Sequence, residues 1–370
     1  MTLRHIAVGA LAVAGCYSPK FRSGIACDVD GSCPSGLTCG MDSVCREPGT
    51  PMIDAALSDG SPLDAAGFET VITGLDSPAA LILPGDGYVY YTSLGSTPQL
   101  KNGAVGRAAV TGGGADLVTG LVQPSGMTVA GNTIYWEDFD GQGINGVISA
   151  VTTGGTSIGT LARQGFSLAN DGTNVYIVTG GSIIRIPVGA LSPVTDVITG
   201  VSTDIIGDSL LVDASDLYWV EVVYNTNFVV VGSSVKKRAK IGGTITTLAT
   251  DTQHIERIVM DSTDVYGAFP STAPAGQPDN GAIVRVSRSG GGTFEVVAAG
   301  QSPQRVAIDD SHVYWTNQFT NMGGAIMRCT KVANCTPEVV LSRGGGLVIA
   351  VDATDVYWAN GVSIFRKPKP

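Results

Sequence analysis

The sequence is poor in the residues that charged partners and common catalytic sites require. Of its 370 residues only three are histidine and 15% are charged, and the formal net charge is −10. The only dense basic stretch, residues 236–240, lies within a strand of the repeat described below. Because nucleic-acid binding needs a basic surface that neutralises phosphates, this composition argues against a nucleic acid as partner.

A long apolar run is also missing from the N-terminus. Residues 6–13 form an apolar run that follows Arg4 and is too short to span a bilayer as a mature helix. This arrangement predicts a secretory signal peptide over residues 1–15.

The residues that follow resemble a lipidation signal. The segment Val13-Ala14-Gly15-Cys16 is similar to the lipobox of bacterial lipoproteins, which implies that Cys16 becomes the acylated first residue. Tyr17 stands where an aspartate would retain such a protein, so the resemblance implies sorting to the outer membrane. An ordinary signal peptide without lipidation is the alternative.

Cysteines recur at six-residue intervals after Cys16. They are Cys27, Cys33, Cys39 and Cys45. In an exported chain this spacing predicts a small disulfide-rich segment over residues 16–46, and the four cysteines allow three pairings. A zinc site is the alternative, but the gaps lack the close pairs typical of zinc ligands. Cys329 and Cys335 flank a predicted hairpin turn, and we expect a disulfide across it.

Residues 47–66 have no sustained apolar period. Proline, glycine, serine, alanine and aspartate dominate this stretch. Such a composition predicts a flexible linker between the cysteine-rich segment and the rest of the chain.

Residues 67–370 contain seven copies of a short aromatic strand. Val313-Tyr314-Trp315 returns as Val356-Tyr357-Trp358, and looser copies precede both. The tyrosines that mark the copies are Tyr90, Tyr135, Tyr176, Tyr218, Tyr266, Tyr314 and Tyr357. Consecutive tyrosines are 41 to 48 residues apart, a period that indicates propeller blades or a solenoid.

The sequence of each copy predicts four strands. In the sixth copy, residues 305–308, 313–316, 325–329 and 338–341 are short apolar or β-branched runs separated by turns. Glycine pairs join the third and fourth runs in several copies, which is typical of tight hairpins. Four strands in each of seven copies predict an all-β, seven-bladed β-propeller.

The two ends of the repeat region complement each other. The last copy stops after its third strand, and residues 67–74 match the fourth strand that is missing there. We therefore predict that this N-terminal strand pairs in the last blade and closes the ring, which removes open sheet edges.

The strand Tyr314-Trp315-Thr316-Asn317 and the run at 351–358 resemble YWTD-type and TolB-like propeller repeats. The resemblance covers residues 67–370, although seven copies replace the six blades of the YWTD pattern and Asn317 replaces its aspartate. It implies a protein-binding or scaffold role, and related propellers also include lyases and lactonases.

The recurring aromatic and acidic residues have structural interpretations. The tyrosines and tryptophans occupy one place in every copy, which predicts packing between blades. A set of aspartates follows the first strand of successive copies, where a carboxylate caps its own turn by accepting backbone N–H bonds. These are Asp213, Asp261, Asp309 and Asp352.

The residues that open each first strand are the candidates for binding, because in propellers they face the central channel. The candidates at the channel mouth are Asp208, Glu256, Arg257, Gln304 and Arg305, with Ser125 and Ser167 at equivalent positions. Charged side chains at such a shared site could bind a polar ligand or a metal. A water-filled channel whose charges balance is the alternative.

Long, dissimilar loops between the second and third strands should lie on the same face. They span residues 92–103, 137–146, 221–234, 268–280 and 317–324 and contain Asp138, Phe139, Asp140, Tyr224, Phe228 and Phe319. Variable loops on a rigid scaffold commonly carry the binding residues.

Catalytic motifs are missing. The chain has no nucleophile elbow, Walker loop or dinucleotide fingerprint, and His254 is the only histidine near the channel mouth. We therefore expect no enzyme activity, no catalytic residue and no resident metal or cofactor, although calcium is possible.

The sequence thus predicts an exported lipoprotein of the bacterial outer membrane whose propeller binds a protein or polysaccharide. The alternative is a calcium-dependent hydrolase or lyase that uses Asp208 and Glu256 at the channel.

Overall fold

The computed structural model describes most of the repeat region and three short strands before it. The described residues are 25–26, 38–39, 44–46, 67–96, 100–139, 146–201, 209–226, 230–274, 277–317, 324–342, 346 and 348–370. The chain divides into two compact units, residues 1–64 and residues 65–370. Among the described residues, no helix is long and apolar enough to cross a membrane.

The first unit contains one small antiparallel sheet. Its strands are β1 (Ile25–Ala26), β2 (Thr38–Cys39) and β3 (Val44–Arg46), in the order β1-β3-β2. Cys39 lies opposite Cys45 in the register of β2 and β3. The predicted signal peptide, Cys16, Cys27, Cys33 and the predicted linker lie outside the described residues.

The second unit consists of seven four-stranded antiparallel sheets, which confirms the predicted propeller. Blade 1 contains β5 (Pro78–Ile82), β6 (Tyr88–Ser93), β7 (Gly103–Ala109) and β8 (Gly114–Leu121). Blade 2 contains β9 (Met127–Ala130), β10 (Thr133–Phe139), β11 (Gly146–Thr152) and β12 (Ser157–Gln164). Blade 3 contains β13 (Ser167–Asn170), β14 (Asn174–Thr179), β15 (Ser182–Pro187) and β16 (Thr195–Thr199).

The remaining blades repeat this plan. Blade 4 contains β17 (Leu210–Val212), β18 (Asp216–Tyr224), β19 (Val230–Ala239) and β20 (Thr246–Asp251). Blade 5 contains β21 (Glu256–Met260), β22 (Asp264–Phe269), β23 (Gly281–Ser287) and β24 (Glu295–Gln301). Blade 6 contains β25 (Pro303–Ile308), β26 (His312–Asn317), β27 (Ile326–Thr330) and β28 (Glu338–Leu341). Blade 7 contains β29 (Val348–Val351), β30 (Asp355–Ala359), β31 (Ser363–Pro368) and β4 (Glu69–Thr73).

Blade 7 joins the two ends of the propeller, as predicted. Strand β4 pairs antiparallel with β31, so that Thr73 lies opposite Ser363. The Nε atom of Arg366 donates a hydrogen bond of 2.8 Å to Glu69 across this pair. Strand β4 therefore supplies the outermost strand of the last blade and closes the ring.

The core lies between neighbouring blades. Side chains alternate along each second strand, so the tyrosine faces one adjacent blade and the residue after it faces the other. All seven repeat tyrosines, from Tyr90 to Tyr357, are at most 1% exposed. Tyr218 of blade 4, for example, packs in one cluster with Val265 and Val284 of blade 5. This burial confirms the predicted role of the repeated aromatic residues.

The aspartates after the first strands cap their own turns, also as predicted. Oδ1 of Asp309 accepts the backbone N–H groups of Ser311 and His312 at 2.9 and 2.8 Å. Its Oδ2 accepts the hydroxyl of Tyr314 at 2.9 Å. The corresponding contact with the repeat tyrosine occurs at Asp86, Asp171, Asp213, Asp261 and Asp352.

A cation from the next blade completes several of these turns, which the sequence did not predict. Lys240 of blade 4 lies 2.7 Å from Asp171 of blade 3. The same interblade contact joins Arg288 to Asp213, Lys331 to Asp261 and Lys369 to Asp309. We call this arrangement of aspartate, tyrosine and neighbouring cation the interblade triad.

The hairpin of blade 6 carries the disulfide that its sequence predicted. Cys329 in β27 bonds Cys335 in the turn that follows, with an S–S distance of 2.05 Å. Elsewhere the turns between third and fourth strands use glycine, as at Gly242 and Gly243, whose φ angles are 114° and 110°. Only glycine adopts such angles without strain, which confirms the hairpin interpretation of these pairs.

Candidate functional site

The order of the antiparallel strands separates the loops onto two faces. Turns from the first to the second strand and from the third to the fourth lie on one face, together with the interblade triads. Loops from the second to the third strand, and from each blade to the next, lie on the opposite face. We call the latter the channel-mouth face, because the first strand of each blade starts there.

The first strands of all seven blades line one cavity of about 200 Å³. Its walls are mainly aliphatic, with side chains such as Leu81, Met127, Leu168, Leu210 and Ile349. Arg257 of blade 5 and Arg305 of blade 6 are the only charged side chains among the described lining residues. The described lining of the channel is therefore mainly apolar and includes two arginines.

Backbone irregularities occur at or next to both arginines. The register between β21 and β22 shifts between Glu256 and Val259, and Arg257 within this bulge has a φ of 45°. The register between β25 and β26 shifts between Pro303 and Arg305. A β-bulge bends its strand and changes the direction of nearby side chains.

The other predicted channel-mouth residues have different surroundings. Glu256 and Gln304 are half-buried and are not among the residues that line the cavity. Asp208 lies outside the described residues. Ser167 is fully buried, and its Oγ accepts the N–H groups of Ser209 and Leu210 at 3.0 and 3.1 Å, so it links blade 3 to blade 4.

Glu256 pairs with His254, the one histidine among the described residues of this face. Its Oε1 lies 3.5 Å from Nδ1 of His254. Burial lowers the pKa of His254 below its ordinary value, although the nearby Glu256 carboxylate opposes this shift. The imidazole is therefore mainly neutral near pH 7. Its Nε2 is buried and has no hydrogen-bond partner among the residues that the structure describes.

The described residues do not supply a calcium site. No group of three histidine, cysteine, aspartate or glutamate side chains comes together within the described part of the chain. Calcium prefers six to eight oxygen ligands, whereas the neighbour of Glu256 is an imidazole. The described neighbour of Glu256 is thus not an oxygen ligand, and Asp208, the other residue that the alternative function uses, lies outside the described residues.

Blade 2 brings two acidic residues together at the same face. Glu137 is only 3% exposed, and its Oε2 accepts a hydrogen bond of 3.0 Å from Ser125 Oγ. Burial raises the pKa of Asp138 to about 6, although the carboxylate accepts the N–H group of Val122 at 3.0 Å. Sequence analysis identified Ser125 and Asp138 as candidates but not Glu137. Nothing in the sequence around Glu137 indicates that its carboxyl group is buried.

The longest hairpin of the ring carries apolar residues at its end. Strands β18 and β19 have 9 and 10 residues, more than any other pair in the described blades. Val223, Tyr224 and Val231 at their channel-mouth ends are 57%, 38% and 47% exposed. We call these three residues the β18–β19 tip.

Other predicted loop residues cannot be placed on this surface. The side chain of Phe139 and residues Asp140, Phe228 and Phe319 lie outside the described part of the structure. Of the six loop residues named from the sequence, Asp138 and Tyr224 are therefore the two whose side chains the structure describes. Asp138 is half-buried and Tyr224 is exposed.

Solved structures similar to this chain share its fold at low sequence identity. The GH74 enzyme from Niastella koreensis matches with a TM-score of 0.54 and 15% identity, over 81% of this chain and 53% of the enzyme. A prolyl endopeptidase matches with a TM-score of 0.53 and 12% identity, over 77% and 46%. The β-propeller domain of the Trilobed protease from Pyrococcus furiosus matches with 0.52 and 10%, over 80% and 94%.

These similarities show the fold of the protein and do not indicate its function. This chain spans about half the length of the GH74 enzyme and of the prolyl endopeptidase. No protein-family model and no curated protein sequence matches it. The chain is a seven-bladed β-propeller, and a fold of this kind supports many unrelated functions.

Proposed function

We propose that the chain is an exported, lipid-anchored binding protein whose propeller captures a partner at the channel-mouth face without catalysis. The β18–β19 tip carries this proposal, because it exposes Val223, Tyr224 and Val231 to solvent at the end of a long hairpin. Exposed apolar residues that cluster at one position often mark an interaction site.

The chemistry of the tip favours a protein over a polysaccharide. Two of its three side chains are valines, which contribute apolar contact area but no stacking surface. A polysaccharide site would need several aromatic platforms, and Tyr224 is the only aromatic residue among the exposed large apolar residues of the described part of the chain. Apolar anchors in a polar surround are typical of protein interfaces.

Affinity capture with matched variants tests the partner site. The full-length protein is immobilised and incubated with an envelope extract of its own cells. We expect Val223→Lys to reduce capture of its main partner at least tenfold, because a lysine ammonium would have to be desolvated in the interface. Ile241→Lys is the control, since Ile241 is 100% exposed on the opposite face. Equal loss in both variants would exclude a specific role for the tip.

The membrane anchor is tested separately. We expect Cys16→Ser to move the protein from the membrane fraction to the soluble fraction, because the acyl chains would be lost. Mass spectrometry of the purified wild-type N-terminus should show lipid on Cys16. An unmodified N-terminus would contradict the lipoprotein part of the proposal.

The competing function is a calcium-dependent hydrolase or lyase at the channel. A ligand that binds only the folded state raises the melting temperature. A thermal melt of the full chain with EDTA, followed by addition of calcium, therefore separates the two functions. We expect no shift. A fall with EDTA that calcium reverses would favour the competing function and direct assays to Glu256 and Asp208.

A further inference from the structure

The interblade triads occur in one continuous part of the ring. They join blade 3 to blade 4, blade 4 to blade 5, blade 5 to blade 6 and blade 6 to blade 7. Among the residues that the structure describes, no ion pair of this kind joins blade 7 to blade 1, blade 1 to blade 2 or blade 2 to blade 3. These three interfaces are consecutive, so blades 1 and 2 lack a triad on both sides.

The position of the cation can be identified in every blade. It is the residue directly after the third strand, whose N–H group donates to a carbonyl oxygen in the turn between the first two strands of its own blade. Lys240 makes this hydrogen bond in blade 4 at 2.9 Å. Val110 makes it to Gly87 in blade 1 at 3.0 Å, and Thr153 makes it to Asn132 in blade 2 at 2.8 Å. Blades 1 and 2 therefore place uncharged residues where blades 4 to 7 place a lysine or an arginine.

The interface between blades 7 and 1 keeps the acidic half of the triad. Oδ2 of Asp352 accepts the hydroxyl of Tyr357 at 2.9 Å, as Asp171 accepts that of Tyr176 at 3.0 Å. Val110 packs against the apolar cluster that contains Tyr357 and brings no charge to the carboxylate. Because a partly buried carboxylate without its cation retains the cost of desolvation, we expect this interface to be less stable than those that carry a full triad.

A second, independent observation comes from an acid in blade 2. Asp138 in β10 is half-buried, and this burial raises its pKa to about 6. Surroundings of low polarity disfavour the charged form of a carboxyl group. Near pH 7 the Asp138 carboxylate therefore gains hydration when blade 2 opens, which lowers the free energy of that opening.

We propose that blades 1 and 2 open as one local unit while blades 3 to 7 stay closed. Proteins open locally in contiguous units whose free energy of opening lies below that of global unfolding. The first strands of blades 1 and 2 contribute Leu81 and Met127 to the lining of the channel. Local opening of the unit therefore gives access to the apolar channel from the side of the ring. This opening is independent of partner binding at the β18–β19 tip, which belongs to blade 4.

Hydrogen–deuterium exchange of the full-length protein, measured by mass spectrometry at pH 7, tests this opening. Amide protection in β6, β7, β10 and β11 of blades 1 and 2 is compared with that in the corresponding strands of blades 4 and 5, which have a triad on both sides. We expect protection factors at least about tenfold lower in blades 1 and 2, because a local unit exchanges through its own opening.

Matched lysine substitutions test whether the missing cation is the cause. We expect Val110→Lys to raise protection in blade 1 about threefold, because its ammonium can pair with Asp352 as the lysine of blade 4 pairs with the aspartate of blade 3. Val188→Lys is the control, since Val188 occupies the cation position of blade 3. Blade 2 has Gly131 where the other blades have the capping aspartate, so protection in blade 2 should not rise in this variant.

Two results would overturn the proposal. One is equal protection of the corresponding strands in blades 1, 2, 4 and 5 of the wild type. The other is wild-type protection of blade 1 in a folded Val110→Lys variant. If that variant does not fold, the comparison of blades in the wild type decides the matter alone.

Discussion

Nζ of Lys240 lies 2.7 Å from Oδ2 of Asp171 and joins blade 4 to blade 3. The two side chains are 14% and 12% exposed, so the ion pair is largely removed from solvent. Nζ also lies 5.7 Å from the centre of the Tyr176 ring, whose hydroxyl donates to the same carboxylate. The interblade triad thus combines an ion pair, a hydrogen bond and a cation–π contact.

Removal of that cation should destabilise the ring. We expect Lys240→Met to lower the free energy of unfolding by about 1–2 kcal/mol, because a partly buried carboxylate loses its partner. Lys240→Arg is the matched control and should retain stability, since Arg288 fills the same position in blade 5. Thermal melts measure both variants. Equal melting temperatures for Lys240→Met and wild type would contradict a stabilising role for the triad.

Stability should fall in acid as the triad aspartates become protonated. Burial alone would raise the pKa of Asp171, but hydrogen bonds from Lys240 and the backbone lower it from 3.8 to about 2. The pKa values of Asp261, Asp309 and Asp352 are also lowered, because hydrogen bonds again outweigh burial. A carboxyl group with a lowered pKa stabilises the fold above its unfolded value and ceases to do so as the pH falls through the folded value.

The stability that these aspartates provide should therefore be lost between about pH 4 and about pH 2. Melting temperatures measured across this range should decrease steadily in the wild type. In Asp171→Asn, which starts from a lower stability at pH 7, the decrease should be smaller. A wild-type melting temperature that stays constant down to pH 2 would show that these carboxylates do not stabilise the fold.

Protonation of Asp138 should stabilise the fold, whereas protonation of the triad aspartates should destabilise it. Burial raises its pKa to about 6, so the folded state binds a proton more tightly than the unfolded chain does. Its charge therefore destabilises the fold at pH 7.5, and this cost disappears as the pH falls from about 6 to about 4. We expect Asp138→Asn to raise stability by about 1 kcal/mol at pH 7.5 and to have little effect at pH 4. A variant that melts below wild type at both pH values would contradict this assignment.

Closure of the ring by β4 should be essential for a soluble product. The Phe68 ring lies 5.3 Å from that of Trp358 and 5.2 Å from that of Phe365, both in edge-to-face geometry. We expect Phe68→Ala to lower stability by about 2 kcal/mol. A chain without residues 67–75 should aggregate, because β31 then has an open edge.

A matched truncation provides the control for that deletion. A chain that begins at residue 67 retains β4, whereas a chain that begins at residue 76 lacks it. The first should be soluble and melt cooperatively, and the second should not. Similar melting of the two truncated chains would show that strand β4 does not hold the ring closed.

The sequence predicted the features that repeat along the chain. Blade number, strand order, ring closure, buried tyrosines and aspartate-capped turns all depend on local patterns that recur about every 41 to 48 residues. The disulfide of blade 6 could be predicted because its cysteines are close in sequence: Cys335 follows Cys329 by six positions.

Contacts between distant residues were not predicted. Asp171 and Lys240 are 69 residues apart, and the cation occurs at only some blades, so the pattern has no uniform period. No short sequence motif marks the bulge at Arg257. The sequence likewise listed Glu256 and Arg257 together, whereas the structure pairs Glu256 with His254 and places Arg257 against an apolar cavity.

Site-specific photo-cross-linking tests partner binding at the channel-mouth face most directly. A benzophenone amino acid replaces Tyr224 in one full-length variant and Ile241 in another, and both are irradiated in their own cells. We predict one dominant cross-linked partner from position 224 and none from position 241, which lies on the opposite face. Adducts of equal yield from both positions, or none from position 224, would contradict the proposed binding face.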